Sequence, residues 1–300
     1  MRQQSTISHE ASTDGVGLHS GAPVRLELRA ATAGAGIQFR RSDLEGFVVE
    51  ANAANIAQVS YATSLMKKGV FISTTEHVLS ALVGLGIDNV IVEVDNLEVP
   101  ILDGSALPFV EMIERAVPRR QRRRRWAMRI LRPVELAEGG KFIGIYPHSG
   151  YRLAYTIDFP HPAIGRQQFE LELNPESYCR ELAPARTFGF LKDVEAMRRQ
   201  GLIRGGSMEN AVVLDERRVV NGPLRFADEF VRHKMLDLIG DLALLGYPLE
   251  GFVRADRAGH ALHTALVKRL LRDRDLWELV GGGEEEPASV AEPVRSAMRA

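Results

Sequence analysis

The chain has 300 residues, 45% of them hydrophobic, which is the composition of a globular protein and excludes a chain that is disordered throughout. Its 38 lysines and arginines are balanced by 39 aspartates and glutamates, so the chain as a whole carries no charge that would attract nucleic acid or anionic lipid. Its single cysteine, Cys179, excludes an internal disulfide framework and a thiolate-rich zinc cluster, so a metal site would need histidine and carboxylate ligands.

The sequence also predicts a compartment. The N-terminal residues lack the apolar segment of a signal peptide, and no run approaches the roughly 18 apolar residues of a membrane-spanning helix. A single cysteine fits a reducing environment. We therefore expect a cytoplasmic protein without a transmembrane segment.

The first part of the chain alternates strand-like runs with short helical segments. Residues 24–30 and 90–96 have the pattern of strands, and residues 75–85 have the spacing of a helix. At 118–125 the composition changes abruptly to PRRQRRRR, and strand character returns directly afterwards. We therefore place a domain boundary there, with an N-terminal domain over 1–125 and the arginine run as a solvated linker.

The second part repeats this pattern. Strands are predicted near 141–147 and 151–158, a loop over 185–190 and a helix over 228–246, which a further strand and a last helix follow. Each part thus contains a helix with an early histidine, a glycine that ends it and then a strand, which is a weak indication of duplication. The fold class predicted from these layers is α/β or α+β.

The remaining boundaries follow from composition. The C-terminal domain covers 126–280. Residues 281–300 are rich in glycine, glutamate and proline, so they are predicted to form a flexible tail.

The helix over 228–246 carries the most informative side chains. His233 and Asp237 are four residues apart, so they lie one above the other on one face, within reach of a single cation. Imidazole and carboxylate are suitable ligands for zinc at a hydrolytic site. The alternative is a solvated face, although such faces usually alternate lysine with glutamate, whereas this one continues with a second aspartate, Asp241.

The start of the helix over 75–85 allows two interpretations. Ser73 and Glu76 have the spacing of a capping box, in which Glu76 only closes the first turn. In the other interpretation Glu76 is a base beside a metal ligand, His77. The helix dipole would keep that imidazole neutral and the carboxylate ionised. The residues alone leave both interpretations open.

Three of these side chains could form one metal site. His77, His233 and Asp237 would supply three protein ligands and leave a fourth position for water, as catalytic zinc sites do. Zinc lowers the pKa of such a water toward ~7, and a carboxylate beside a ligand could then take its proton. Fe(II) can occupy a similar ligand set, so the sequence does not distinguish the two metals.

Two further histidines, His260 and His263, lie one turn apart near the start of the last helix. Either could be a surface residue without a function. In the alternative, Asp241 holds His260 in its protonated form, and His260 is the acid partner of the Glu76 base.

Other segments give weaker signals. His19 lies between glycines in DGVGLHSG, where a backbone can approach a ligand closely. ARTFGF (185–190) and GLIRGGS (201–207) suggest the rim of a substrate site. The arginine run could bind RNA or acidic lipid, which would make the chain a non-catalytic binding protein. No aromatic residues alternate with the arginines to stack on bases, so nucleic acid is not the expected partner.

Together these segments resemble one family, the zinc-dependent UDP-3-O-acyl-N-acetylglucosamine deacetylases of Gram-negative lipid A synthesis. The matching stretches occur in the family's order from about residue 13 to 280, and VRHKMLD is the most specific. They are TDGVGLHSG, STTEHVLSALVGLGIDNVIVEV, PILDGSALPFVE, TIDFPHPAIG, ARTFGF, GGSMENAVV, RFADEFVRHKMLDLIGDLALLG and GHALHTALV.

The resemblance implies a fold and a metal. It implies two similar domains, each a two-layer α/β sandwich built from a shared βα unit, with the active site in the cleft between them. It also implies one zinc ion per chain, with His77, His233 and Asp237 as its ligands.

The same resemblance implies roles for other residues. Glu76 would be the general base and His260, paired with Asp241, the general acid. Thr187 would help to hold the oxyanion, and Lys234 would lie near the diphosphate. The residues implied to contact the rest of the substrate are Asp158 and Phe159 at the uracil, Phe188 and Gly206 along the acyl chain, and Lys141 and His19 on the nucleotide side.

The activity implied is hydrolysis of the N-acetyl group of UDP-3-O-(3-hydroxyacyl)-N-acetylglucosamine, the committed step of lipid A biosynthesis. A zinc amidase acting on another sugar nucleotide is the alternative among enzymes. A monomer is expected. The N-terminal STISHEAST, the arginine run and the tail depart from the family. Because the tail governs turnover by a membrane-bound protease in some members, a regulatory protease acting on this tail stays an open alternative.

Overall fold

The computed structural model describes residues 2–57 and 61–282, and it combines helices with several, largely antiparallel sheets, which is compatible with the predicted α+β class. Most of the predicted tail, residues 283–300, lies outside the described residues. The helices are α1 (Glu76–Gly84), α2 (Leu107–Arg115), α3 (Pro175–Glu181), α4 (Leu191–Arg199), α5 (Glu229–Leu242) and α6 (His260–Arg272).

The strands follow one another along the chain with short connections. They are β1 (Gln3–Ile7), β2 (Ala11–Val16), β3 (Pro23–Ala30), β4 (Ile37–Arg41), β5 (Phe47–Glu50), β6 (Leu65–Lys67), β7 (Val70–Ile72), β8 (Val90–Val94), β9 (Pro118–Arg124), β10 (Ala127–Ile130), β11 (Val134–Glu138), β12 (Lys141–Tyr146), β13 (Tyr151–Phe159), β14 (Gly165–Glu172), β15 (Phe188–Phe190), β16 (Val212–Leu214), β17 (Leu249–Asp256) and β18 (Trp277–Val280).

A five-stranded sheet, in the order β2, β3, β8, β4, β5, is the framework of the first half. In β3 the side chains of Val24, Leu26 and Leu28 are buried at alternate positions, as in a strand with one face on a core. β8 is antiparallel to β3 and parallel to β4. Helix α2 packs against α1 and β2, so the apolar faces of helices and sheet meet in one core.

A seven-stranded sheet is the framework of the second half. Its central strand, β17, pairs antiparallel with β12 and parallel with β13 and β10. Helix α5 packs against β13 and β14, and α6 packs against α5 and β12. The buried side chains of both helices therefore belong to the same core as this sheet.

The two halves share their connectivity. In the first half the hairpins β2–β3 and β4–β5 lie on either side of β8, and in the second the hairpins β11–β12 and β13–β14 lie on either side of β17. In both, the central strand follows one helix, α1 or α5, and precedes another, α2 or α6. The helices differ in length, with 9 residues in α1 and 14 in α5, which is why this likeness gives only a weak sequence signal.

Helices α1 and α5 lie directly against each other and join the two halves. At their contact a Cβ on Gly240 would lie 2.1 Å from the carbonyl oxygen of Glu76, so only glycine lets the two backbones approach this closely. This contact positions the first turn of α1, with Glu76 and His77, beside the middle of α5.

The arginine run, predicted as a solvated linker, forms a strand in the structure. Pro118–Arg124 form β9, which pairs antiparallel with β1. Most of its side chains are exposed. Its backbone pairs with β1, which lies at the other end of the first half of the sequence. Composition alone cannot reveal such a pairing, because strand preference depends on what the strand packs against.

Two other elements differ from their predictions. The loop predicted over 185–190 contains β15, which pairs parallel with β16. The helix predicted over 228–246 ends at Leu242 and continues as a 3-10 turn that stops at Gly246, where φ is 78°. A left-handed glycine is a common end for a helix.

Across residues 2–57 and 61–282, none of the helices combines the length and the apolar character needed to cross a membrane. The cytoplasmic location and the domain boundaries at 125 and 280 stay predictions.

Candidate active site

The first turn of α1 directs Glu76 and His77 into the interior, where each is 4% exposed. The helix begins at Glu76 itself, and Thr75, which precedes it, makes no side-chain capping bond. The Glu76 carboxylate instead accepts the backbone N–H of Thr63 at 3.0 Å. The capping box predicted as the alternative for Ser73 and Glu76 is therefore wrong, because the carboxylate bonds to another segment and not to its own helix start.

The polar face of α5 is buried. His233, Asp237 and Asp241 follow at four-residue intervals and are 1%, 3% and 0% exposed. Helices α1 and α6 both pack on α5 and cover this face. The alternative of a solvated face is therefore wrong, and these polar side chains need hydrogen-bond partners in the interior.

His77, His233 and Asp237 form a group whose ligand atoms lie within 4.8 Å of one another. Asp237 Oδ1 is 3.3 Å from Nε2 of His233 and 3.7 Å from Nε2 of His77. The Nδ1–H of His233 donates to the carbonyl oxygen of Ala185 at 3.1 Å, which leaves the Nε2 lone pair facing the group. Two imidazoles and a carboxylate are a donor set of catalytic metal sites, so these residues fit a divalent cation.

The protonation states of this group suit a cation. Burial, with His233 alongside, lowers the pKa of His77 to about 3, and burial also lowers the pKa of His233. Burial alone would raise the pKa of Asp237, but His233 and Lys234 hold it below its usual range, and the Lys234 ammonium donates to Asp237 Oδ2 at 2.8 Å. Neutral imidazoles and an ionised carboxylate are the forms that coordinate metals.

Asp241 organises a second cluster one turn further along α5. Its Oδ2 accepts hydrogen bonds from Nδ1 of His260 and of His263, both at 2.7 Å, and its Oδ1 accepts the Thr63 hydroxyl. His263 is fully buried, and its Nε2 lies 3.0 Å from the Tyr155 hydroxyl, so the alternative of a surface residue is wrong for His263. One carboxylate thus fixes the orientation of two imidazole rings.

A proton donor and a proton acceptor flank Thr63. Burial alone would lower the pKa of His260, but the Asp241 carboxylate outweighs it and raises that pKa to about 9. Burial raises the pKa of Glu76 to about 8, and His260 acts in the opposite direction. The N–H of Thr63 donates to the Glu76 carboxylate, and the Thr63 hydroxyl donates to Asp241, which binds His260. Such paired shifts are typical of sites that transfer protons.

These groups face a cavity of about 530 Å³. Its polar lining includes His77 of α1, Asp237 of α5 and His260 at the start of α6. Most of its apolar lining comes from β15, β16, α4 and the segment between α4 and β16. These apolar residues are Phe188, Phe190, Leu191, Val194, Met197, Ile203, Met208, Ala211 and Val213. The cavity therefore suits a ligand with a polar reacting group and an apolar chain.

Comparison with known proteins agrees with this geometry. The family described as LpxC, UDP-3-O-acyl N-acetylglycosamine deacetylase, matches residues 4–272. The chain belongs to this family. A UDP-3-O-acyl-N-acetylglucosamine deacetylase of Solibacter usitatus (strain Ellin6076) is 52% identical over 281 residues, 93% of this chain and 95% of the relative. A protein of the same name from Xanthomonas campestris pv. campestris (strain B100) is 46% identical over 301 residues, 98% of this chain and 99% of the relative.

In this member of the deacetylase family, most of the predicted site residues meet at the one cavity. Those that line it are His19, Glu76, His77, Thr187, Phe188, Gly206, His233, Lys234, Asp237 and His260. Asp241 lies behind His260 and contacts it directly. Both ring nitrogens of His19 are buried without a hydrogen-bond partner in the described part of the chain, and burial lowers the pKa of this histidine.

Three predicted substrate contacts are not part of the cavity lining. Phe159 packs edge-on against Phe188, with 5.7 Å between the ring centroids, and so supports the wall from behind. Asp158 is exposed next to it on β13, and Lys141 is exposed at the start of β12. Their roles in substrate binding stay predictions.

The structure also adds residues that the sequence did not single out. Thr63 joins Glu76 to Asp241 although 178 residues separate Thr63 from Asp241 in the chain, and no local pattern marks it. The apolar side chains of α4 form one wall of the cavity. Their spacing in the sequence is a signal for an amphipathic helix, but it does not reveal that the apolar side faces a ligand cavity.

Proposed function

We propose that this protein hydrolyses the acetamide of UDP-3-O-(3-hydroxyacyl)-N-acetylglucosamine, giving acetate and the free amine. Its relatives are named as deacetylases of UDP-3-O-acyl-N-acetylglucosamine. The observation that carries the proposal is the set of groups facing one cavity: a metal-binding donor set, a buried carboxylate and a histidine with a raised pKa. The apolar wall of the cavity supports a substrate with an acyl chain.

The metal would be held by His77, His233 and Asp237. When bound, it would act as a Lewis acid on the acetamide carbonyl and provide a water with a pKa lowered toward ~7. We infer zinc, because two imidazoles and a carboxylate with an open position are typical of hydrolytic zinc sites. Iron(II) is the alternative, since it accepts the same donors.

Glu76 is the proposed general base. One of its carboxylate oxygens accepts the N–H of Thr63, which fixes the side chain, and the carboxylate also faces the cavity beside His77. Its position in the first turn of α1 favours the ionised form, while burial strengthens it as a proton acceptor. It would take the proton of the attacking water.

His260 is the proposed general acid. Asp241 accepts from its Nδ1 and keeps the ring protonated, which leaves the Nε2–H as the donor for the departing amine nitrogen. Thr187 would donate to the developing oxyanion. Lys234, whose ammonium faces the same cavity, would attract the diphosphate.

The remaining substrate contacts are placed along the cavity and its rim. We propose Phe188 and Gly206 for the acyl passage, because both line the apolar part. We propose Asp158 and Phe159 for the uracil and His19 and Lys141 for the nucleotide side. The contact of Phe159 with Phe188 supports the acyl passage. The two ring nitrogens of His19, which have no hydrogen-bond partner among the described residues, support the nucleotide side.

We also propose that the fold is a duplication, with two-layer sandwich domains over 1–125 and 126–280 and the site in the cleft between them. The identical order of hairpins, helix and central strand in the two halves supports this. Glu76 and His77 come from the first half and His233, Asp237 and His260 from the second, so neither half would hold the site alone.

Metal content and deacetylation, measured on the same samples, test the proposal. The samples are wild type, His233→Ala and Glu76→Gln. We expect about one zinc per chain in wild type and Glu76→Gln, little in His233→Ala, and activity only in wild type. Metal-free protein with full activity would refute the metal site. A zinc-loaded wild type that releases no acetate from the acylated sugar nucleotide would refute the substrate.

A further inference from the structure

A second cavity, with a volume of about 430 Å³, is lined by residues of both halves. The first half contributes residues 34–37 and 50–54 and the end of α1, and the second half contributes the end of α5 and residues 243–249. Among the described residues, none lines both this cavity and the catalytic one. Its volume lies within the range of about 300–1,000 Å³ that is typical of small-molecule sites.

The end of α5 and the turn after it form an apolar wall of this second cavity. The start of β17 and α6 extend the wall, and Val83 of α1 adds an apolar side chain from the first half. The aliphatic side chains of the wall are Ile239, Leu242, Leu244, Leu245, Leu249 and Leu271. An apolar group that binds against them leaves water, which is favourable.

Strand β9 supplies this cavity with a positive charge. Its side chains alternate in exposure, with Gln121 and Arg123 half-buried and Arg122 and Arg124 exposed, and Arg123 lines the cavity. A Cβ on Gly34, where φ is 89°, would lie 2.1 Å from Nη1 of Arg123. Glycine therefore leaves the space that the guanidinium needs at the edge of the cavity.

The charge of Arg123 is not balanced within residues 2–57 and 61–282. The other charged residues of the lining are already paired, since Asp88 binds Arg125 at 2.6 Å and Glu50 binds Lys67 at 2.7 Å. Arg123 makes no such pair with a described carboxylate. The lining as described therefore favours an anionic ligand.

The backbone beside Arg123 is fixed by a buried side chain. Asn89, which is 2% exposed, accepts the N–H of Gly34 at 3.0 Å and that of Gly36 at 2.9 Å, and it donates to Gln121 of β9 at 2.7 Å. The glycine loop and the strand that carries Arg123 are thus joined before any ligand binds. A preformed site loses little conformational freedom on binding.

Tyr151 adds a hydrogen-bond donor to the same cavity. Its hydroxyl is buried and has no hydrogen-bond partner among the described residues. Burial raises its pKa, so the hydroxyl keeps its proton at neutral pH. Because buried hydroxyls are normally hydrogen-bonded, an oxygen atom inside the cavity is the partner that this group lacks.

We propose that the second cavity binds a small amphipathic organic anion. Its carboxylate lies beside Arg123, its apolar chain lies along the end of α5, and a further oxygen accepts from the Tyr151 hydroxyl. The class is a medium-chain alkanoate with a second oxygen function. Since the two cavities share no described lining residue, this inference does not depend on the proposed reaction.

Tryptophan fluorescence of the full chain reports binding at this cavity and not at the catalytic one. The chain has two tryptophans, of which Trp126 lines the second cavity and Trp277 does not. With octanoate as the probe, we expect a saturable change of emission in wild type and none in Trp126→Phe, where Trp277 remains. A change that persists in Trp126→Phe would place the probe elsewhere and overturn the proposal, as would no change in wild type.

Arg123→Gln tests the anionic end, and Arg122→Gln, on the exposed face of the same strand, is the matched control. We expect octanoate to bind Arg123→Gln roughly tenfold more weakly than wild type, because a charge-assisted contact is lost, and the control to bind it normally. Octanol, which has no charge, should not distinguish the three proteins. Equal affinity of the two arginine variants for octanoate would overturn the proposal.

A steric variant keeps the test independent of Arg123. Ala54 lines the cavity and is exposed, so Ala54→Phe adds a ring at its solvent-facing edge without changing a charge. We expect this variant to keep the wild-type Tm and to bind octanoate more weakly. Wild-type affinity in Ala54→Phe would mean that the probe does not enter here, which would overturn the proposal.

The ω-hydroxy derivative of octanoate tests Tyr151. Its hydroxyl provides an acceptor at the end of the chain away from the carboxylate. We expect wild type to bind it about fivefold more tightly than octanoate, the gain of one hydrogen bond, and Tyr151→Phe to bind the two probes equally. Equal binding of both probes by wild type would overturn the assignment of Tyr151 as the donor.

Discussion

Glu76 stands at a helix start, but its carboxylate bonds to Thr63 on another segment. Glutamine can accept the same N–H, so Glu76→Gln keeps this hydrogen bond and removes only the capacity to take a proton. We expect kcat to fall about 10²-fold or more, since a general base contributes at least that much. The free energy of unfolding should change by about 1 kcal/mol or less. Steady-state kinetics and urea denaturation of one preparation measure both.

Glu76→Ala is the matched control for this prediction. It removes the proton acceptor as well as the hydrogen-bond acceptor, so the buried Thr63 N–H loses its partner at a cost of about 1–3 kcal/mol. A Glu76→Gln protein with nearly wild-type kcat would show that another group takes the proton.

His260 owes its raised pKa to Asp241, and Asp241→Asn tests this through the pH dependence of kcat/KM. Burial remains in the variant but the negative charge is lost, so the pKa of His260 should fall from about 9 to below about 6.5. A general acid must be protonated, so activity is lost as the pH rises through its pKa. The alkaline limb should therefore move to lower pH by about two units or more.

The acid limb reports the base and is expected to move as well, because His260 lowers the pKa of Glu76 and Asp241 raises it. The position of the alkaline limb is therefore the result that decides. An alkaline limb that stays near pH 9 in Asp241→Asn would assign it to a group other than His260.

Among the individual site residues, the sequence could predict which ones share a face of α5. His233, Asp237 and Asp241 recur every four residues, so their shared face follows from helical geometry. The role of Thr63 could not be predicted, because its hydrogen bonds depend on how α5 and α6 pack against a loop from the other half. The burial of His263 was missed for the same reason.

The contact between α1 and α5 depends on one glycine. In an exposed helix Gly→Ala stabilises by about 1 kcal/mol, so helix propensity predicts that Gly240→Ala makes the protein more stable. The packing predicts that the variant is less stable, since the added Cβ would lie 2.1 Å from the Glu76 carbonyl oxygen. We expect a net loss of about 2 kcal/mol, typical of an overpacked core, measured by urea denaturation.

Gly189→Ala is the comparison for this prediction, because no heavy atom lies within 4 Å of a Cβ at that position. It should change the free energy of unfolding by less than about 1 kcal/mol. Activity should fall in Gly240→Ala, because a shift of α1 moves Glu76 and His77 away from α5. A stable and fully active Gly240→Ala would contradict the close approach of the two helices.

The elements that carry a hydrophobic period could be predicted from the sequence, as β3, α1 and α5 show. The arginine strand β9 could not, since it has no apolar alternation and is held by backbone pairing with β1 and by the side-chain hydrogen bonds of Gln121 with Asn89 and Ala31. β15 could not be predicted either. Its three residues are too few to show a hydrophobic alternation, and its partner strand, β16, follows only after α4.

At the scale of the whole molecule, the proposed metal ligands connect the two halves. His77 belongs to α1 and His233 and Asp237 to α5, so the complete donor set exists only in the folded chain. A ligand that binds only the folded state stabilises it by about 2.7 kcal/mol at a hundredfold excess over its Kd. Chelation should therefore lower the Tm by roughly 5 °C or more, and added zinc should restore it.

Two variants separate this stabilisation from catalysis. His77→Ala should have a lower Tm that no longer responds to chelator or zinc, whereas Glu76→Gln should keep the full response although it is inactive. A wild-type Tm that responds to neither reagent would mean that no cation joins the halves. The Lys234 ammonium, 2.8 Å from Asp237, would then be the only countercharge that this buried carboxylate needs, and the His77 and His233 rings would be packing groups around that ion pair.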